Sequence, residues 1–283
     1  MNASLPDNAT TTVLPGDVLE GRFRIVRVVG AGGMGSVFEA RHVALGRRCA
    51  VKLMAPRLDG RPDYRERFRR EATAAAILEH ENVAAVLDLG ETPSGAPFLV
   101  MEYLDDENLA SLLATEGPLP PSRAADIVVQ ACRGVDAIHA SGVIHRDLKP
   151  TNLFVCRHAD GRDLVKVLDF GVAKVSTPDT GPDVNTRTGA VLGTPHYMAP
   201  AQARGEKQLS RRVDVYALGT ILYECLSGQR AHHGASYNEV LYHVMTQQPE
   251  SLRALRPSLP DSLVATVEHA MAQDPEDRFA TAA

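Results

Sequence analysis

A change of periodicity near Asp105 constrains this chain more than any other feature. From Arg22 the residues run in short β-type stretches broken by glycine: "FRIVRVVG", "GSVFEARHV" and "RRCAVKLMA". Alternating stretches bounded by turn residues predict an antiparallel meander. The stretch "DYRERFRREATAAAILEH" follows with helical spacing of Phe68, Ala72, Ala75 and Ile77–Leu78. Two more strands, "AAVLDLGE" and "APFLVMEYL", complete a small sheet. Beyond Asp105 the long stretches "SRAADIVVQACRGVDAIHASG", "RVDVYALGTILYECLSG", "YNEVLYHVMTQ" and "DSLVATVEHAMAQ" read as helices. The order predicts an α+β, bilobal fold, with a small β-rich N-lobe holding one main helix and a larger, mostly helical C-lobe. A cleft between lobes is the expected place for a ligand. The expected divisions are a mobile polar tail over 1–20, an N-lobe over 21–104 and a C-lobe over 105–283, hinged at Tyr103–Asp106.

Composition narrows the function classes. A net charge of −5 without a basic block gives no nucleic-acid footprint. Cys49, Cys132, Cys156 and Cys225 are far apart in sequence, which argues against a disulfide framework or zinc site and for a reducing compartment. No apolar run approaches the roughly 20 residues that cross a bilayer. The chain is expected to be cytoplasmic, although a longer parent protein could be membrane-tethered.

Three motifs carry chemistry. "GAGGMGSV" places Gly30, Gly32 and Gly35 where backbone can approach phosphates without a Cβ in the way. A dinucleotide-binding loop would open a helix, but strand-like residues follow, so a strand–loop–strand flap is expected. "CAVKLMA" puts Lys52 inside an apolar strand, where it reads as a cation aimed at phosphates, with Glu71 on the next helix as its natural partner. "VIHRDLKPTNLFV" and "VKVLDFGVAK" gather His145, Arg146, Asp147, Lys149 and Asn152 in one loop and Asp169-Phe170-Gly171 after a strand. Singly these are turn formers; their joint spacing leaves that reading little room.

Together these motifs resemble the eukaryotic-type protein kinases, in particular the serine/threonine kinases of bacteria, from about Phe23 to the last residues. The resemblance implies ATP and Mg2+ as cofactors and protein Ser/Thr hydroxyls as acceptors. It implies that Gly30, Gly32 and Gly35 cover the phosphates, with Ala31, Gly33, Met34, Val37, Ala50 and Leu153 also in the nucleotide site. Lys52, oriented by Glu71, would hold the α- and β-phosphates. Asp147 would be the base, Lys149 would neutralise the γ-phosphate, and Asn152 and Asp169 would ligate magnesium. Met101 would be the gatekeeper, and Glu102 and Leu104 would offer backbone hydrogen bonds to adenine. Thr194, in "GTPHYMAP", belongs to the expected substrate loop.

Regulation is expected in "STPDTGPDVNTRTGAVLGT", where Thr186 and Thr188 hold the positions that the family autophosphorylates and Arg146 is the arginine that grips the phosphate. Self-association for trans-autophosphorylation is the implied partner, beside the protein substrates. One position departs from the family. The segment that normally ends Ala-Pro-Glu reads Ala199-Pro200-Ala201, so Arg278 is expected to lack its glutamate, a loss of about 3–5 kcal/mol if uncompensated. Gln202 or Glu206 are the candidate substitutes, and a looser activation segment is the expected result. The family also carries one more helix after "DPEDRFATAA", so that last helix of the C-lobe is expected either to be missing or to lie in residues beyond this sequence, as in a domain of a longer protein. The rival readings are a pseudokinase scaffold that binds nucleotide or partners without transfer, and a small-molecule kinase. Every residue expected to do chemistry is present, and the long activation segment suits a protein substrate.

Overall fold

The computed structural model describes residues 13–32, 35–54, 76–157, 161–168 and 195–283. The described residues form two compact units: those up to Ala76 with Val86–Tyr103, and Ile77–Ala85 with Leu104–Ala283.

The first unit is a six-stranded antiparallel sheet in the order β1-β2-β3-β4-β6-β5. Its strands are β1 (Val18–Leu19), β2 (Phe23–Gly32), β3 (Gly35–His42), β4 (Arg48–Met54), β5 (Val86–Glu91) and β6 (Pro97–Glu102). Period-2 alternation decides its faces. Phe23, Ile25, Phe38, Ala40, Cys49, Val51, Leu53, Phe98 and Val100 form one buried cluster. Removing a side chain such as Phe98 (0% exposed) from water contributes about 1.5–3 kcal/mol.

The tail expected over 1–20 is corrected for residues 13–20. Val13 and Leu19 join the buried cluster, and Val18–Leu19 pairs with Phe23–Arg24. Gly16 N–H donates to the Ile25 carbonyl at 2.9 Å, and Ile25 N–H to the Asp17 carbonyl at 2.8 Å. Each buried anchor has an exposed apolar neighbour, Leu14 or Val18, so the stretch shows no periodicity, yet a tight turn through Glu20 and Gly21, both at positive φ, brings the strand back onto the sheet.

The second unit is helical around a small antiparallel sheet, β7 (Glu107–Asn108), β8 (Leu153–Arg157) and β9 (Asp163–Val167). Its helices are α1 (Leu109–Glu116), α2 (Pro121–Ala140), α3 (Pro200–Ala203), α4 (Arg212–Ser227), α5 (Tyr237–Thr246), α6 (Leu252–Leu255) and α7 (Asp261–Ala270). In α2, Ala124, Ile127, Val128, Ala131, Val135 and Ile138 make one buried stripe. α4 is buried nearly all round, from Val213 to Leu226, which makes it the central helix of the unit. At Gly219 an added Cβ would lie 2.7 Å from the Ala270 Cβ, so glycine permits the approach of α7.

Ile77–Ala85, expected with the N-lobe, packs with the helical unit instead. Val167 N–H donates to the Asn82 carbonyl and Ala84 N–H to the Val167 carbonyl, both at 2.9 Å. Asn82 Nδ2 adds a bond to the Val165 carbonyl at 2.9 Å. Most of the helix expected from Asp63 lies outside the described residues. No helix among the described residues is long and apolar enough to cross a membrane.

Candidate active site

In the first unit, β2 and β3 pair in register Gly30↔Val37, Ala31↔Ser36 and Gly32↔Gly35. The glycine motif is therefore a hairpin between strands, as its sequence context predicts. Gly35 has φ +137°, a conformation side chains other than glycine rarely adopt. Gly33 and Met34 lie outside the described residues.

The register carries the other expected residues onto one face. Val37 pairs with Lys52 and Lys52 with Leu99; Ala50 pairs with Met101. In β4, Cys49, Val51 and Leu53 point into the buried cluster, so Ala50 and Lys52 point to the opposite face. Lys52 is only 5% exposed. A buried ammonium needs acceptors around it, and Glu71, its expected partner, lies outside the described residues. Glu102 is the last residue of β6 and pairs with Cys49, and Leu104 is the first residue of the second unit's chain beyond it.

In the second unit, one loop carries Arg146, Asp147, Lys149 and Asn152. Lys149 Nζ donates to Asp147 Oδ2 at 2.9 Å. A 3-10 turn, Pro150–Asn152, follows and places Asn152 so that its Nδ2 donates to the Asp147 carbonyl at 2.9 Å. Leu153, fully buried, opens β8 beside Val167 of β9. Leu168 N–H donates to the Asn152 carbonyl at 2.9 Å, while His145 Nε2 donates to the Leu168 carbonyl at 2.8 Å. His145 Nδ1 accepts from Asp147 N–H at 3.3 Å, which assigns its proton to Nε2. Asp169, the residue after Leu168, lies outside the described residues, as do Thr186, Thr188 and Thr194.

The loop is held by residues the motifs do not name. Asp214, in the first turn of α4 and 1% exposed, accepts from His145 N–H and Arg146 N–H, each at 2.8 Å. His139 Nε2 lies 2.7 Å from the same carboxylate. Arg146 has φ +63°, a left-handed conformation that costs of order 1–3 kcal/mol in a non-glycine residue. Its N–H is fixed by Asp214 and its carbonyl accepts from Gln202 Nε2 at 3.0 Å. The one signal for Asp214 is an acid placed in the run "VDVYALGTILYECL", where nothing else is charged until Glu224.

Arg278 is not left without acceptors. It is 3% exposed and donates to the backbone carbonyls of Ala272, Arg212 and Gln273 at 2.7, 3.2 and 3.0 Å. Its guanidinium also lies 4.9 Å from the centre of the Tyr216 ring. Burial pulls its pKa down to about 10; Arg204 and Arg212 push the same way, and Tyr216 and Asp274 oppose them. Neither candidate substitute serves it: Gln202 turns to the Arg146 and Ala199 backbone, and Glu206 pairs with Arg204 at 2.8 Å. Ala201 itself is buried.

A family model described as "Protein kinase domain" matches residues 23–283. The serine/threonine-protein kinase PknB of Mycobacterium tuberculosis is 41% identical over 268 residues, covering 94% of this chain and 42% of that protein. Pkn1 of Myxococcus xanthus, also a serine/threonine-protein kinase, is 37% identical over 263 residues, 93% of this chain and 37% of that protein. The chain thus spans about two fifths of the length of these curated relatives. Among solved structures, the PknI kinase domain of M. tuberculosis matches with TM-score 0.74 and 26% identity, covering 96% of each chain. Rad53 1–466 in complex with AMP-PNP matches with TM-score 0.74 and 25% identity, covering 92% of this chain and 63% of that one. The α+β kinase fold expected from the sequence is borne out, and the chain belongs to the protein kinase family, with bacterial serine/threonine-protein kinases among its relatives.

Proposed function

We propose that this chain is an active kinase domain that transfers the γ-phosphate of ATP, with Mg2+, to serine and threonine hydroxyls of proteins. The observation that carries the proposal is the Asp147–Lys149 pair at 2.9 Å, on a loop pinned through its backbone by a buried carboxylate. Phosphoryl transfer asks mainly for positioning and charge neutralisation, and this loop offers both.

Asp147 accepts the hydroxyl proton as the acceptor oxygen bonds to the γ-phosphorus and the bond to the ADP oxygen breaks. Lys149, which bonds Asp147, neutralises the transferring phosphoryl group in this reading. Lys52 holds the α- and β-phosphates, with Glu71 as its partner, under the backbone of Gly30–Gly35. Ala31, Gly33, Met34, Val37, Ala50, Met101 and Leu153 contact the nucleotide, and the backbone of Glu102 and Leu104 bonds adenine. Asn152 fits a hard cation: its Nδ2 is committed to the Asp147 carbonyl, which leaves an oxygen as its remaining side-chain donor atom. With Asp169 it would hold magnesium, whose charge offsets that of the phosphates. AMP-PNP in the Rad53 structure supports a nucleotide site of this kind.

Thr194 belongs to the loop that presents the protein substrate. Phosphate on Thr186 or Thr188, gripped by Arg146, orders the activation segment, and a second copy of the chain supplies it in trans. We place the domain in the cytoplasm, where ATP and magnesium are available. The scaffold reading gains nothing from the residues present.

The test is transfer from radiolabelled ATP to a generic basic protein, comparing wild type with Lys52→Met. Equal incorporation by the two would overturn the enzyme reading. Incubation with magnesium and ATP should also place phosphate on Thr186 or Thr188, and Asp147→Asn should abolish it. Phosphate confined to other sites would remove the regulatory part.

A further inference from the structure

We propose that Gln202 is a positioning residue for the transfer step, tying the segment that ends in Ala199-Pro200-Ala201 to the peptide that carries Asp147. The proposal rests on the kinase reading above and adds a residue that the motifs do not assign.

The bond geometry is specific to that peptide. Gln202 Nε2 donates to the Arg146 carbonyl, and this carbonyl belongs to the same peptide unit as the Asp147 N–H. The N–H of that unit donates to His145 Nδ1. Gln202 and His145 therefore hold the two ends of one peptide plane, and the plane sets the direction in which the Asp147 side chain leaves the backbone. Arg146 is at φ +63°, so this plane is held against a local preference for relaxation. Asp214 restrains the preceding plane through Arg146 N–H; Gln202 restrains the one that matters for Asp147.

The other end of the amide is also assigned. Gln202 Oε1 accepts from Ala199 N–H at 3.1 Å, at the start of α3. One side chain thus takes a donor from the anchor segment and gives a donor to the catalytic loop, and the two bonds fix which end of the amide is nitrogen. The same segment is tied elsewhere by Tyr197, whose hydroxyl donates to Glu224 at 2.6 Å, and by His196 Nδ1, 2.9 Å from the His232 carbonyl. Those ties hold the segment to the surrounding unit, and neither reaches the loop of Asp147. Ala201, which has no polar side-chain atom, contributes none. Movement of the anchor segment is transmitted to Asp147 through Gln202.

Two substitutions separate positioning from folding. In Gln202→Glu the carboxylate still accepts from Ala199 N–H but meets the Arg146 carbonyl with a second oxygen. Gln202→Met keeps the length and loses both bonds. Steady-state transfer from ATP to a generic basic protein is measured for wild type and both variants between pH 5.5 and 8, beside thermal melts. We expect kcat to fall about tenfold or more in both variants at pH 8, since small misplacements of reacting groups are costly. KM for ATP should stay within about twofold. The deficit of Gln202→Glu relative to wild type should shrink as pH falls, because facing the Arg146 carbonyl raises the carboxyl's pKa and the protonated acid can again donate to that carbonyl. The deficit of Gln202→Met should not change with pH. A kcat within twofold of wild type for Gln202→Glu at pH 8, or a deficit in Gln202→Glu that is independent of pH, overturns the proposal; if Gln202→Met fails to fold, this pH profile still decides. A wild-type chain that transfers no phosphate overturns the kinase reading itself, whereas an active wild type with unaffected variants overturns only the role of Gln202.

Discussion

Replacing Asp214 by Asn tests how the catalytic loop is held. The carboxylate is 1% exposed and takes three donors: His145 N–H and Arg146 N–H at 2.8 Å and His139 Nε2 at 2.7 Å. It also sits in the first turn of α4, where the helix dipole favours negative charge. His145 and His139 share Oδ2, and Arg146 faces Oδ1 alone. An amide has one oxygen. Its better orientation keeps that oxygen toward the two donors and sets its NH2 against Arg146 N–H. Losing a hydrogen bond to a charged group costs about 1.5–3 kcal/mol. The two remaining bonds fall from charge-assisted to neutral, roughly halving each. Relief of the buried charge returns part of this, so the net loss is about 3 kcal/mol, or roughly 5 °C in Tm for a chain of 283 residues. With Arg146 N–H unsatisfied, its left-handed conformation relaxes and Asp147 moves, so kcat falls on the order of a hundredfold while KM for ATP changes little. Thermal melts by circular dichroism and steady-state transfer assays read both effects. A Tm within about 2 °C of wild type together with unchanged kcat would show that the carboxylate does not hold the loop, and the argument would fail.

Two further outcomes follow from buried charge. Ala201→Glu should raise Tm by a few degrees, because Arg278 is a buried cation whose hydrogen-bond partners are neutral carbonyls, and nearby Arg204 and Arg212 oppose its charge while Asp274 favours it. The gain should vanish in an Arg278→Met background, and an equal change in both backgrounds would mean that the two positions do not interact. His232, 3% exposed, has its pKa pulled down to about 4 by burial, with His243, His196 and His233 pushing the same way. The unfolded chain then binds the extra proton first, so its stabilising contribution is complete above about pH 6.5 and is lost as pH falls toward 4, up to about 3 kcal/mol. Denaturant melts across that range should show the decline, and His232→Gln should flatten it; an unchanged slope would assign the acid sensitivity elsewhere.

The legible part of the candidate site is the part whose proposed chemistry demands a particular residue at a short spacing. Lys52, Asp147, Lys149 and Asn152 stand out because charged and amide side chains in those contexts are otherwise wasteful. The strand–loop–strand character of the glycine motif was legible too, because the residues after Gly35 alternate as a strand does. The packing of residues 13–20 is illegible because Val13 and Leu19 bury themselves through a turn, not through a repeat. The place of Ile77–Ala85 is illegible because its partner, Val167, lies far along the chain. The bonds of Asp214 and of His139, and that of Gln202 to the Arg146 carbonyl, are illegible for the same reason. Asp214 bonds residues 68 and 69 positions away, and Gln202 one 56 positions away. Nothing in a local window marks such a pair.

Arg278 separates the two sources most clearly. The chain alone determines that a glutamate is absent at 201 and that an arginine remains at 278, and from this a cation without its acid follows. Only the tertiary structure decides what the cation does instead. Three carbonyls from Arg212, Ala272 and Gln273 converge on it, and the Tyr216 ring covers it. Side-chain identity is written locally, but backbone carbonyls are the same at every residue. Which of them are left facing inward is set by how helices end and pack, and that is a property of the folded chain.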